Sequence, residues 1–240
     1  MNKRRIFSLL LFLVLLLACC SSALGEGADV VSASYNNSSS SVRVGDVVSF
    51  GSYRQYNTVQ GAPEPIRWLV LDVQGDKALL VSMFVLDCKP YHSRPSRITW
   101  ENCTLRTWLN QDFMNKAFSW SEANAILTTY VDNSRAQGYS GFTTDGGNNT
   151  YDKIFLLSYA EAWRYFRSDN ERMTIPTTFA MSQNVYYHDN GCFYWLRSPG
   201  QAQNYAIYVH FTGSRYDRSV QYTNIGVRPA MWVDLNLASF

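Results

Sequence analysis

The chain has 240 residues, and its 21 Lys and Arg against 19 Asp and Glu give a formal net charge of +2. This balance leaves no basic field that would attract nucleic acid, so we expect no nucleic-acid partner. Hydrophobic residues make up 46% of the sequence and aromatic residues 15%, which excludes the composition of a disordered chain. The sequence therefore predicts a globular protein with a substantial core.

The start of the chain has the pattern of a bacterial secretory signal. Three basic residues precede an apolar stretch at residues 6–17, which is shorter than the roughly 20 residues that a transmembrane helix needs. Two cleavage sites remain open. Leu-Leu-Ala-Cys resembles a lipobox that would limit the signal to residues 1–18 and lipidate Cys19, whereas Ala-Leu-Gly would give a signal of residues 1–25. We therefore expect an extracytoplasmic protein, either a cell-surface lipoprotein held by an N-terminal lipid anchor or a secreted protein.

The sequence predicts one domain behind a spacer. Residues 26–41 are rich in Ser and Asn and indicate a flexible spacer, and the domain occupies residues 42–240. Its apolar pattern predicts a first strand pair that turns at residues 45–46. The clearest β-hairpin joins predicted strands at residues 66–73 and 78–84.

The middle of the domain has helical spacing. A helix is predicted after Thr104, a second short helix opens at Ser121, and Ser158 is expected to cap a third behind a buried strand at residues 154–157. Residues 133–152 indicate a long loop, and loops of this length usually have a function or a specific partner.

Strand patterns return in the last fifty residues. The predicted strands are residues 193–197, 205–211, 218–222 and 227–235. Strands at both ends with helices between them predict an α+β fold rather than a doubly wound sheet.

The predicted loop contains a candidate calcium site. Oxygen-bearing side chains that are closely spaced and interrupted by glycines suit a hard cation, and the candidate ligands are Asp145, Asn148, Asn149 and Asp152. The same residue types also form turns in which Asx side chains cap backbone amides. Calcium is therefore a possible cofactor, and the turn interpretation stays open beside it.

Three cysteines follow the predicted leader. In an oxidising compartment two of them are expected to form a disulfide, and we pair Cys88 with Cys103 because they flank a short segment rich in turn formers. Cys192 is then unpaired. It is read either as a buried small hydrophobic residue or as a reactive thiol.

The C-terminal aromatic residues indicate a binding surface. Strand alternation at residues 205–211 places Tyr208 and His210 on the face opposite the predicted core. The candidate ligand-binding residues are Tyr208, His210, Arg215, Tyr216 and Arg218. Such side chains can stack on a sugar ring or contact a peptide.

Several motifs carry a family resemblance. They include Trp-Leu-Arg-Ser-Pro-Gly at residues 195–200, Gly213, and Gly-Val-Arg-Pro-Ala at residues 226–230. With upstream matches from about Val42, the chain resembles a bacterial extracytoplasmic family, domain of unknown function six-two-seven-three. The closing strands are also similar to those of C-type-lectin-like domains of the formylglycine-generating-enzyme and variable-protein kind. This resemblance implies a twisted antiparallel sheet with two to three short helices and long loops.

Arg197 and Arg228 each lie in an otherwise apolar predicted strand. A charge in such a position must be paired. We expect structural roles, in which both guanidinium groups bond to carbonyl or carboxylate oxygens and hold the terminal strands in register. Recognition of an anionic ligand is the alternative.

The leading functional hypothesis is a non-catalytic binding module, exported to the cell surface or secreted, for a carbohydrate or protein ligand. The sequence lacks the helical zinc motif, the nucleophile elbow and the phosphate-binding loop. Two alternatives remain. One is a cell-envelope enzyme, either a formylglycine-generating-type oxidase, which the single C-terminal Cys192 puts in doubt, or a glycan hydrolase that uses Asp145 or Asp152. The other is a structural envelope lipoprotein.

Overall fold

The computed structural model describes residues 42–57 and 62–240. These residues fall in one unit, Ser40–Phe240. The predicted signal, the lipidation position Cys19 and the spacer at residues 26–41 lie outside the described residues.

Short strands and short helices make up the described residues. The strands are β1 Val47–Tyr53, β2 Glu64–Gln74, β3 Lys77–Ser82, β4 Asp87–Cys88, β5 Thr129–Val131, β6 Thr150–Asp152, β7 Tyr187–His188, β8 Gly191–Cys192, β9 Tyr194–Pro199, β10 Tyr205–Val209, β11 Arg215–Ser219, β12 Gly226–Val227 and β13 Ala230–Asp234. The α-helices are α1 Thr104–Trp108, α2 Met114–Ala117, α3 Trp120–Ala125, α4 Tyr159–Tyr165, α5 Asp169–Arg172 and α6 Thr178–Ser182.

A four-stranded antiparallel sheet has the order β1-β2-β3-β13. Its β2–β3 hairpin turns at Gly75, whose φ of 61° is a conformation that glycine adopts without steric cost. The outer edge of β13 is covered, because Ile126 forms a bridge with Val233 and Phe155 forms one with Ala230. The expected hairpin is confirmed. The turn predicted at residues 45–46 is also formed, and β1 follows it, but residues 42–44 before it are not a strand, so that half of the predicted strand pair is wrong.

A five-stranded sheet has the order β11-β10-β9-β12-β4. Its pairs are antiparallel except that between β12 and β9. The β10–β11 ladder runs without a bulge from Tyr205–Ser219 to Val209–Arg215. Two-stranded sheets form from β5 with β6 and from β7 with β8.

Five of the six α-helices named above, all except α2, begin after a residue whose side chain accepts a hydrogen bond from a backbone N–H group. Ser119 and Ser158 form capping boxes with Glu122 and Glu161 at the starts of α3 and α4. Between α1 and α2 lies one π-helical turn, Leu109–Phe113. Ser158 therefore caps its helix as predicted, while the strand predicted at residues 154–157 is wrong, since only Phe155 forms a bridge there.

The fold is a mixed α+β arrangement of curled, mainly antiparallel sheets with a few short helices, which confirms the α+β prediction at this level. The indoles of Trp68, Trp100 and Trp195 are fully buried in its core. Across residues 42–57 and 62–240, no helix has both the length and the apolar character needed to cross a bilayer.

Candidate functional site

The β10–β11 ladder determines which predicted ligand-binding residues share a face. Tyr208 lies opposite Tyr216, and Ala206 lies opposite Arg218. Because residues directly opposite and residues two positions apart point to the same side of a sheet, Tyr208, Tyr216 and Arg218 belong to one face. Arg215 belongs to the other face.

Tyr208 is not a surface residue, and its predicted exposure is wrong. The residue is only 3% exposed, and both Ile207 and Val209 beside it are buried as well. The physical reason is that β10 lies inside the sheet and is covered on both faces. The ring of Tyr208 packs 4.9 Å from Phe193 and 6.1 Å from Trp195, measured between ring centroids.

Four rings form a continuous surface that we call the aromatic platform: Tyr186, Phe193, His210 and Tyr216. Successive ring centroids are 4.4, 5.0 and 4.8 Å apart in that order. Tyr186 and Tyr216, at the two ends, are exposed, while Phe193 and His210 are half-buried between them. The platform therefore presents aromatic faces to solvent over a dense aromatic layer.

His210 is oriented by the turn that joins β10 to β11. Its Nδ1 lies 2.9 Å from the hydroxyl of Thr212, and the Gly213 backbone N–H donates to the His210 carbonyl. A side chain at Gly213 would collide with the Asp169 carbonyl, so the tight turn requires glycine. Burial lowers the pKa of His210 from 6.5, which favours the neutral ring at neutral pH.

Arg218 lies on the platform face, two residues beyond Tyr216. Its guanidinium donates from Nη2 to the hydroxyl of Tyr222 at 3.1 Å and sits 4.3 Å from the centre of that ring. Both residues are exposed. The pair adds a positive charge and a further ring at the rim of the platform.

Arg215 does not join this surface. Its guanidinium carbon lies 3.9 Å from the Tyr139 ring centre and 5.0 Å from that of Phe142. Arg215 therefore covers an aromatic pair on the opposite face of the sheet, as the two-residue period of β11 requires. Of the five predicted residues, the structure brings together His210, Tyr216 and Arg218 at the surface and places Tyr208 beneath them.

The sequence pattern did not assign Tyr186 and Phe193 to the platform. They flank the β7–β8 hairpin, and this hairpin folds them over the end of β10. Strand alternation describes one strand at a time, so the only available signal was the clustering of aromatic residues before β9.

Asp152, a predicted calcium ligand, is enclosed by protein donors. Its side chain is fully buried and forms a salt bridge with Arg106, with 2.7 Å between Oδ1 and Nε. Its Oδ2 accepts from the Trp100 indole at 2.9 Å and from the Thr150 hydroxyl at 2.8 Å. This carboxylate holds β6 to the start of α1, and protein donors occupy both of its oxygens.

The other three predicted ligands also bond to protein groups. Asp145 accepts from the backbone N–H of Gly147, Asn148 donates to the Glu101 carboxylate, and Asn149 accepts from the Asn133 backbone N–H. Each of these three side chains is therefore engaged by a different protein group. In the described part of the chain, no group of three or more His, Cys, Asp or Glu residues could hold a metal ion. Of the four residues, Asp145 and Asn149 accept from backbone amides, which is the capping that the alternative interpretation expects.

The expected disulfide between Cys88 and Cys103 is not formed. The Cys88 thiol lies against the Thr223 carbonyl at 3.2 Å, whereas the Cys103 sulfur accepts from the Arg106 N–H at the start of α1. The two sulfurs thus form hydrogen bonds in different parts of the fold. The short distance between the two cysteines in the sequence did not indicate this. Burial raises the pKa of each of these two thiols to about 12. Cys192 is also a buried free thiol, and burial raises its pKa.

Arg197 and Arg228 are both buried. Arg197 forms a two-pronged pair with Glu161 and donates to the Leu156 carbonyl at 2.9 Å. Arg228 donates to the Ser82 carbonyl at 3.0 Å and to the Tyr194 hydroxyl at 3.2 Å. These contacts join β9 to α4 and the chain after β12 to the end of β3.

Comparisons with known proteins give one match. A family model described as Domain of unknown function (DUF6273) matches residues 75–235, which is more than half of the chain. No curated protein and no solved structure matches the chain.

Proposed function

The chain belongs to the Domain of unknown function (DUF6273) family, and from this premise we propose that it is a non-catalytic module that binds a protein partner outside the cytoplasm. The observation that carries the proposal is the aromatic platform, with Arg218 and Tyr222 at its rim. Tyrosine and arginine dominate the binding energy of many protein interfaces because they combine large contact area with hydrogen-bonding groups.

The packing beneath the platform supports this proposal. The exposed ring of Tyr216 rests over the buried ring of Tyr208, and Phe193 supports both Tyr186 and His210. Rings held by such contacts lose little conformational freedom when a partner binds, which favours affinity. β11 is also an edge strand, so its backbone is available beside the platform for pairing with an extended segment of the partner.

The leader pattern supports the proposed location, with either lipidation at Cys19 or release after cleavage. The closing strand motifs, the antiparallel sheets and the short helices support a C-type-lectin-like scaffold. We propose this scaffold as the frame that presents the platform, while the function rests on the surface residues themselves.

The proposal is tested by capture of proteins from extracellular and envelope fractions with the immobilised full chain. Tyr216→Ala removes an exposed platform ring, and Tyr56→Ala removes an exposed ring elsewhere as a matched control. We expect one protein to be retained by the unmodified chain and the control but at least about tenfold less by Tyr216→Ala. Equal retention by both variants, or binding only to arrayed glycans through these residues, would refute the proposal.

A further inference from the structure

A groove of about 370 Å³ lies on the four-stranded sheet, apart from the residues of the aromatic platform. Besides Leu127, its lining combines two aromatic side chains with neutral and basic polar ones: Gln74, Lys77, Thr128, Thr129, Tyr130 and Trp232. The volume is within the range of sites for small organic ligands. From this combination we propose that the groove binds a neutral saccharide of one or two sugar rings.

The register of the sheet determines which side chains form the floor of the groove. Trp232 lies opposite Leu79, and Asp234 lies opposite Lys77. Lys77 and Trp232 therefore project from the same face of the sheet, and Gln74, paired with Lys77 across the hairpin, belongs to that face too.

The segment after α3 forms the other wall. The backbone N–H of Leu127 donates to the Trp232 carbonyl at 2.8 Å, and Ile126 forms a bridge with Val233. These bonds fix residues 126–127 alongside the outer edge of β13, and residues 129–130 continue into β5, which pairs with β6. Backbone hydrogen bonds therefore hold both sides of the groove in place, which reduces the cost of ordering it around a ligand.

The aromatic walls suit the apolar face of a sugar. Tyr130 is 56% exposed, yet its hydroxyl accepts from Asn149 Nδ2 at 2.5 Å and its ring packs edge-on against Tyr151 at 5.5 Å. Trp232 is partly buried against the core. Within residues 42–57 and 62–240, its indole N–H has no protein acceptor and its ring no aromatic neighbour. A ring face and a donor are therefore available in the groove.

The polar groups suit sugar hydroxyls. Gln74 donates from Nε2 to Asp72 at 2.9 Å, which orients its amide, and Thr129 donates to the Leu127 carbonyl at 3.3 Å, which orients its hydroxyl. Their remaining lone pairs, together with the ammonium of Lys77, supply acceptors and donors. Because Asp72 and Asp234 lie near Lys77 on this face, their negative charges offset its positive charge and disfavour an anionic sugar.

The test uses the full chain and a panel of neutral monosaccharides and disaccharides, with uronic acids as the anionic arm. Binding is followed by calorimetry and by tryptophan fluorescence, which Trp232 should report. Tyr130→Ala and Gln74→Ala change exposed parts of the groove, whereas Tyr216→Ala, on the platform, is the control. Thermal unfolding of each variant verifies that it is folded.

We expect at least one neutral saccharide to bind, with affinity reduced about tenfold or more by Tyr130→Ala and by Gln74→Ala and unchanged by Tyr216→Ala. Three results would overturn the inference: no saccharide binding by the folded chain, binding of uronic acids only, or binding that Tyr216→Ala removes while Tyr130→Ala leaves it intact. The outcome is independent of protein capture at the platform, so the two proposals can fail separately.

Discussion

Tyr208 and Tyr216 face each other directly across β10 and β11, with ring centroids 6.1 Å apart, but only one of them reaches solvent. Tyr208 is 3% exposed and Tyr216 is 51% exposed. The buried ring therefore supports the surface, and the exposed ring is available for contact with a partner. Tyr208 packs among the rings of the five-stranded sheet, while Tyr216 lies over it at the surface.

This relationship predicts that the same substitution destabilises the fold by very different amounts at the two positions. Tyr208→Ala leaves a cavity among Phe193 and Trp195 and should lower the free energy of unfolding by about 3–5 kcal/mol. Tyr216→Ala should lower it by less than about 1 kcal/mol because the ring is half in water. Urea denaturation of both variants measures the difference. Equal losses would mean that the two rings have similar burial.

Because Arg106 pairs with Asp152, we expect the fold to be stable without calcium. Asp152→Asn leaves a partly buried guanidinium without its charged partner and should destabilise the fold by about 3 kcal/mol. Addition of Ca²⁺ or of a chelator should leave the melting temperature of the unmodified chain unchanged, since a bound ion would raise it by mass action. Calcium-dependent stabilisation that Asp152→Asn abolishes would contradict this assignment.

His210 predicts a pH dependence of stability. Its pKa is lowered by burial from 6.5, so the unfolded chain binds the proton more readily than the folded chain does. The stability that this pKa difference contributes is fully present above the unfolded pKa of about 6.5. It is lost as pH falls from there through the folded pKa. His92, whose pKa burial also lowers, acts in the same direction.

Denaturation between pH 5 and 8 measures this dependence. His210→Gln keeps a polar side chain but does not titrate, so its slope below about pH 6.5 should be shallower than that of the unmodified chain. An identical slope in the variant would show that His210 does not contribute, and a steeper one would indicate the opposite direction of its pKa change.

We expect the thiols of the three described cysteines to react slowly with alkylating reagents. Each is buried, and the raised thiol pKa values leave little thiolate at neutral pH. An alkylating reagent should therefore label Cys88, Cys103 and Cys192 slowly in the folded chain and completely after denaturation without reductant. Peptide mass spectrometry distinguishes the sites. A disulfide-linked peptide containing Cys88 and Cys103 would contradict this expectation and would support the pairing predicted from the sequence.

Local features of the fold were predictable from the sequence. The β2–β3 hairpin and the cap at Ser158 depend on neighbouring residues, so turn chemistry and capping preferences were sufficient. The burial of Tyr208 depends on Phe193 and Trp195, which reach it from β9 and the chain before it. A two-residue period identifies the two faces of a strand but does not show that both are covered.

The candidate site was only partly predictable for the same reason. Asp152 and its neighbours have the composition of a calcium loop, but the partner that occupies this carboxylate, Arg106, is 46 residues away in the chain. The platform likewise needs Tyr186 and Phe193, which only the β7–β8 hairpin brings to His210. Long-range pairing of this kind has no signature in local spacing.

We propose that the aromatic platform is the surface that binds a partner. Hydrogen exchange of the full chain, measured alone and with the captured protein bound, tests it most directly. We expect slower exchange in β11 and at residues 186–193 on binding, with β1 and β2 unchanged. Protection confined to β1 and β2, or no protection at β11 in a saturated complex, would contradict it.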